Sequence, residues 1–195
     1  MKSVEKGSDR PRRPTAAEVA AARGKTVPDL IAPGLRVLFC GINPSLYSAA
    51  VGHHFARPGN RFWPALQAGG FTGRVLLPSE GGELLTLGYG IVNLVDRATG
   101  AADELSTEEL VEGARRLEAK VRHHRPAAVA FLGITAYRTA FGRRRARPGP
   151  QPETLAEAGV WVLPNPSGRC ISFSVAGYRE LFFEVSRAPT PEGRA

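Results

Sequence analysis

The chain is poor in the residues that staple or metallate a fold. Its two cysteines, Cys40 and Cys170, lie far apart and form no CxxC, so neither a disulfide framework nor a zinc or iron–sulfur site is indicated. A reducing cytosol is the expected compartment. The four histidines fall in two adjacent pairs, His53-His54 and His123-His124. Neighbouring side chains diverge, and no HExxH or carboxylate cluster completes a metal site, so no metal is expected. GxGxxG, P-loop and GxSxG motifs are missing as well, which leaves no sign of a nucleotide cofactor or a serine nucleophile. No apolar run approaches the ~20 residues of a membrane span, and the basic N-terminal stretch lacks the apolar segment of a signal peptide. A soluble, cytoplasmic protein without membrane contact is expected. Acidic residues are also short: 18 Asp and Glu against 26 Lys and Arg give a net charge of +8, a balance suited to polyanionic partners such as nucleic acid.

What is present reads as one folded domain. A length of 195 residues allows a single substantial core, and 43% hydrophobic residues with 22 Gly and 16 Pro suit a globular chain rich in turns. Residues 1–26 hold seven basic and three acidic side chains, half of the excess charge, with almost no large apolar residue. They read as a flexible basic arm, residues 27–187 as the domain and 188–195 as a second tail. Within the domain, "RVLFC" (36–40), "GIVNLV" (90–95), "AAVAFL" (127–132) and "VWVL" (160–163) are short and continuously apolar, as strands buried on both faces should be. Between them run helical patterns. Ser106 and Glu109 match a capping box, followed by Leu110, Ala114, Leu117 and Val121 on one face. A last helix from about Ser174 carries Val175, Tyr178, Leu181, Phe182 and Val185 at helical spacing. Strand–helix alternation predicts an α/β sandwich around a mainly parallel sheet.

Two of these strands deliver the same tripeptide: "GINPS" follows the first, and "NPSG" the last. Loops at the carboxyl ends of parallel strands share one edge, where ligand sites of open α/β folds gather. The two Asn-Pro-Ser segments are therefore expected to face each other across a cleft. Between them in sequence lies "GHHFARPGNRFW" (52–63), where Phe55 either fills the core beneath its loop or stacks on something flat. Asp96 in "NLVDRAT" offers a general base or a structural ion pair with Arg97. Cys40 ends an apolar strand as a core thiol. "GRRRARPG" (142–149), with four arginines in five positions, either tracks a phosphate backbone or forms a solvated loop.

Taken together and in order, GINPS, GHHFARPGNRFW, GIVNLVDR and WVLPNPSGRC resemble the mismatch-specific uracil-DNA glycosylase and thymine-DNA glycosylase family across roughly residues 30–185. The resemblance implies a single three-layer α/β/α domain of the uracil-DNA glycosylase kind. The implied activity is monofunctional hydrolysis, without cofactor, of the N-glycosidic bond of uracil mispaired with guanine in double-stranded DNA, by base flipping, leaving an abasic site. It further implies a monomer that hands its product to abasic-site repair enzymes, nucleoid-associated in a bacterium. By the same resemblance Asn43 is the catalytic residue, and Ile42, Ser48 and Phe55 bind the base. Gly168 and Arg169 form the wedge and opposite-base contact, with Ser45, His54, Asn93, Asn165 and Ser167 in support. Relatives often carry Gly where Ser45 stands and Leu where Arg169 stands. A broader uracil or hypoxanthine glycosylase acting also on single strands, and a non-catalytic mismatch-binding protein of the same fold, remain alternative readings.

Overall fold

The structure, a computed structural model, describes residues 13–167 and 175–187. Its centre is a five-stranded sheet in the order β2-β1-β3-β5-β4, with β1 Val37–Gly41, β2 Tyr89–Asn93, β3 Ala128–Leu132, β4 Gly149–Leu155 and β5 Ala158–Leu163. The first three and β5 are mutually parallel, and β4 pairs antiparallel with β5 at the edge. β1, β2 and β3 are buried on both faces and β5 has one face half-covered, and alternate residues serve opposite sides. Val37, Phe39, Ile91, Ala130 and Leu163 enter one core with Phe62, Leu66, Leu84 and Phe182. Leu38, Cys40, Val92, Phe131 and Val162 enter the other with Leu117, Val121 and Tyr137.

The first core is closed by α3 (Phe62–Ala68), α4 (Glu83–Thr86) and α7 (Val175–Ser186), and the second by α5 (Thr107–His124) and α6 (Ile134–Ala140). The three-layer α/β/α arrangement expected from the sequence is thus the observed one. The capping box holds α5 as foreseen: the Ser106 hydroxyl accepts from the Glu109 N–H, and the Glu109 carboxylate accepts from the Ser106 N–H. Phe182 and Val185 of α7 are fully buried. Among the described residues no helix is long and apolar enough to cross a membrane.

Two departures from the sequence reading have physical causes. β4 was not foreseen, because "GPQPETL" carries Pro150 and Pro152 and little apolar surface. Proline is tolerated on an edge strand, where one row of N–H groups has no partner. Within the stretch read as a basic arm, residues 13–26 include α1 (Ala16–Ala20), whose Thr15 and Glu18 form a capping box. Ala22 is fully buried beside Val27, Ala49 and Ala98. Small side chains make this contact, so it leaves no run of large hydrophobics to read. Residues 1–12 and 188–195, assigned to the tails, lie outside the described residues.

Candidate functional site

β1 is flanked by β2 on one side and β3 on the other, so the chain leaves the centre of the sheet in both directions and a crevice opens at the carboxyl ends of these strands. A cavity of about 340 Å³ occupies that crevice, within the range of small-ligand sites. Ile42, Asn43, Ser45 and Ser48 reach it from the loop and helix after β1. His54 and Phe55 come from the next loop, Asn93 from the end of β2, and Asn165 and Ser167 from the loop after β5. Both Asn-Pro-Ser segments thus border one cavity. Gly168 and Arg169 lie outside the described residues.

Asn43 is held in one orientation. Its Nδ2 donates to the Arg97 carbonyl at 3.0 Å and to Thr99 Oγ1 at 2.7 Å. The Thr99 hydroxyl itself donates to the Ala101 carbonyl at 2.6 Å, so towards Asn43 it can only accept. Both amide protons are therefore engaged, and Oδ1, an acceptor, is the atom left for the cavity. The strand-end loop carrying Arg97 and Thr99 is braced in turn. The Arg97 guanidinium forms a two-pronged pair with Glu109, with the second contact at 2.8 Å, and donates to the Glu104 carbonyl at 3.1 Å. That guanidinium, with the Ser106 N–H, holds the Glu109 carboxyl down to about 2. Arg97 does not pair with Asp96, the alternative raised from sequence; Asp96 stands 3.9 Å from Lys120 instead. Thr99 is a cavity residue, bonded to Asn43, that sequence reasoning passed over. Its signal was a hydroxyl beside Gly100 in a strand-end turn, where threonine commonly bonds a neighbouring loop.

Phe55 forms the opposite wall. Its ring stacks on Phe62 with centroids 4.1 Å apart and also lines the cavity, so it serves core and site together. Its φ of 52° is left-handed and costly for a bulky residue. Ser48 helps hold it there: the Ser48 hydroxyl accepts from the Ala56 N–H at 3.1 Å and from the Ser45 hydroxyl at 3.0 Å, and Ser45 caps α2 (Leu46–Val51) by accepting from the Ser48 N–H. Ser48→Ala leaves Ala56 N–H unpartnered. We expect it to lower the unfolding free energy by about 1 kcal/mol, the low end for a lost partner because Ala56 is only partly buried, measured by urea unfolding.

Asn93 is oriented by His54. The buried His54 ring places Nε2 2.9 Å from the Pro28 carbonyl, which fixes the proton on Nε2 and leaves Nδ1 to accept. Asn93 Nδ2 lies 3.4 Å from that Nδ1, so the amide presents its oxygen and its second N–H elsewhere. Burial lowers the pKa of His54 against the opposing pull of the Pro28 carbonyl and Asp29, and His53 adds to the lowering. The unfolded chain therefore binds the proton first, and stability contributed by neutral His54 is lost as pH falls from about 6.5 towards the lower folded value. Melting temperatures recorded between pH 7.5 and 5 should fall on acidification, and His54→Gln should flatten that part of the curve.

The remaining supports are local. Asn165 Oδ1 accepts from the Ser167 N–H at 3.0 Å, and the Pro166 carbonyl accepts from the Arg61 N–H at 2.9 Å. The second Asn-Pro-Ser loop is thereby tied to the start of α3. Cys40, behind the site, is fully buried, and burial pushes its thiol pKa up. It is inert core, as expected.

The sequence profile of the uracil DNA glycosylase superfamily matches residues 28–180, which include every described residue of the cavity named above. Among solved structures, the chain is similar to a solution NMR structure of a candidate uracil DNA glycosylase from Methanosarcina acetivorans. The TM-score is 0.57 at 19% identity, covering 84% of this chain and 98% of that one. At that identity the likeness bears on the fold.

Proposed function

The chain belongs to the uracil DNA glycosylase superfamily, and from that premise we propose that it hydrolyses the N-glycosidic bond of uracil mispaired with guanine in double-stranded DNA. The observation that carries this reading is Asn43: an amide locked by Arg97 and Thr99 with its oxygen left for a cavity walled by an aromatic ring.

C1′ of a nucleotide inside a duplex is out of reach of side chains, so the base must be flipped into the cavity, at a cost of a few kcal/mol that is least for a mispaired base. Phe55 takes one face of the flipped base, a contact worth about 1–3 kcal/mol. Backbone groups around Ile42 and Phe55, with the Asn93 amide, read its edge. Asn43 does not ionise near neutral pH, so it acts by positioning: its oxygen accepts a hydrogen bond from the water beneath C1′ while the glycosidic bond loosens and charge passes to the leaving base. Donors of the cavity stabilise that anion. Gly168 and Arg169 are proposed to fill the gap in the stack. By the family resemblance Ser48 lies near the pyrimidine 5-position, so uracil is taken ahead of thymine; one methyl group discriminates by about 1–3 kcal/mol.

A second reading, a broader glycosylase, is favoured by Asn93. With one N–H turned to His54, its amide offers an acceptor and a donor side by side. That pair complements the N3–H and O4 of uracil and equally the N1–H and O6 of hypoxanthine. The deciding experiment is alkaline strand cleavage on duplexes carrying uracil, thymine or hypoxanthine opposite each base, with single-stranded uracil alongside. Cleavage led by G·U supports the mismatch-specific reading, and comparable cleavage of hypoxanthine or of single strands selects the broader one. Binding without cleavage of any substrate sinks both.

A further inference from the structure

We propose that the arginine-rich loop between α6 and β4 is a second DNA contact, gripping backbone phosphates of the duplex beside the cavity; this rests on the reading of the cavity as a DNA glycosylase site. The loop, residues 141–148, is built rather than loose. Arg138 spends both its Nε and a terminal nitrogen on the Ala146 carbonyl, at 3.0 and 2.6 Å. Arg143 pairs with Glu153 at 3.0 Å, and the Tyr137 hydroxyl donates to the same carboxylate oxygen at 2.8 Å. The Gln151 amide ties down the Arg147 and Gly149 carbonyls, at 2.8 and 2.9 Å. Two arginines are thus used to shape the loop.

The other three, Arg144, Arg145 and Arg147, are exposed, and among the described residues none has a carboxylate partner. Three neighbouring cations held on a braced turn repel one another, a cost that a polyanion relieves. A loop serving only solubility has no need of such bracing. A braced backbone keeps the three arginines close together, and arginine bonds phosphate in two-pronged fashion.

The end of the loop that feeds β4 stands beside the cavity, where a duplex would pass. β4 starts at the cavity edge of the sheet, since Gly149 pairs with Val162, the penultimate residue of β5. Three residues further along that strand's path is Asn165, on the cavity wall, a reach of about 10 Å in extended chain. The loop climbs to that edge: Arg143, bonded to Glu153 four residues down β4, lies away from it, and Arg147, two residues before Gly149, lies nearest the cavity's β4 side. A shallow depression of about 530 Å³ between residues 142–148 and 150–153 leaves room for the backbone to settle.

The test is binding measured by fluorescence anisotropy between 50 and 200 mM KCl, on an undamaged duplex and on a duplex with one G·U pair. The wild-type chain is compared with R144A/R145A/R147A and with R144K/R145K/R147K. Each lost phosphate contact reduces the slope of log K against log salt by about 0.9, so the alanine variant should lose about 2.7 from its slope on both duplexes. Across this range the wild type then loses about 40-fold more affinity than the alanine variant. The lysine variant, which keeps the charge, should keep most of the slope. An alanine variant with the wild-type slope overturns the proposal, as does a lysine variant that loses as much as alanine. The undamaged duplex involves no excision, so failure of the two readings is distinguishable. A slope loss in a protein that excises no base retains this surface and sinks the glycosylase reading, and an unchanged slope in an active enzyme sinks this surface alone.

Discussion

Asn43→Ala is expected to bind a G·U duplex almost as the wild type does and to excise uracil about a thousandfold more slowly, or worse, in a single turnover. The separation follows from where the residue sits. Its two N–H groups are spent on Arg97 and Thr99, and its oxygen is proposed to hold the water and not the base, so on this reading alanine removes an interaction that matters only as the glycosidic bond breaks. Loss of one well-placed polar group at a developing charge costs about 10²–10³ in rate, and loss of the positioned water adds to it. Folding loses less. The Arg97 carbonyl gives up one partner, while Thr99 keeps its bond to Ala101, a cost of about 1 kcal/mol. Asn43→Asp should fall between alanine and wild type, because a carboxylate still holds water but its charge opposes the departing anion. If Asn43 served only to join two loops, binding and excision would decline together.

Gly41→Ala should be nearly as damaging, from a single methyl group. Gly41 ends β1 opposite Asn93 on β2. A Cβ there would lie 2.6 Å from Asn93 Oδ1 and 3.1 Å from Phe55 Cζ, so one or both must move. If Asn93 turns, it leaves His54 Nδ1. If Phe55 shifts, it leaves Phe62. These are the two side chains proposed to hold edge and face of the base, and a displacement of the order of 1 Å costs roughly 10²-fold in rate. The crowding itself destabilises by about 1–3 kcal/mol. Circular dichroism first establishes that the variant is folded at the assay temperature. Single-turnover excision from G·U should then be about a hundredfold slower, and a normal rate would remove Asn93 and Phe55 from base recognition.

The sequence made the inner sheet legible because β1, β2 and β3 are buried on both faces, and β5 on one with the other half-covered, which writes each as a short apolar run. It made the α5 start legible because a capping box is local, with both partners three residues apart. β4 was hidden by its prolines, and the packing of residues 13–26 by the smallness of Ala22, Ala49 and Ala98. The site divides the same way. The paired Asn-Pro-Ser loops announced a shared edge, and the cavity brings together every described candidate named from the family resemblance, while Asp96 stays outside it. What could not be read was who holds whom. Asn43 is locked from 54 and 56 positions away, and Asn93 is turned by a histidine 39 positions away. Such pairings exist only after the strands have set the register, so no spacing rule along the chain carries them.

Whether the locked Asn43 amide drives hydrolysis at this cavity is decided by quantifying free uracil by mass spectrometry after one turnover with excess protein on a G·U duplex. Bound fraction is measured in the same samples for wild type and Asn43→Ala. One equivalent of free uracil and one alkali-labile site per duplex are expected for the wild type, and almost none at the same time point for Asn43→Ala at a matching bound fraction. Equal uracil release by both proteins, or tight binding by the wild type with no uracil released, would contradict that role of Asn43.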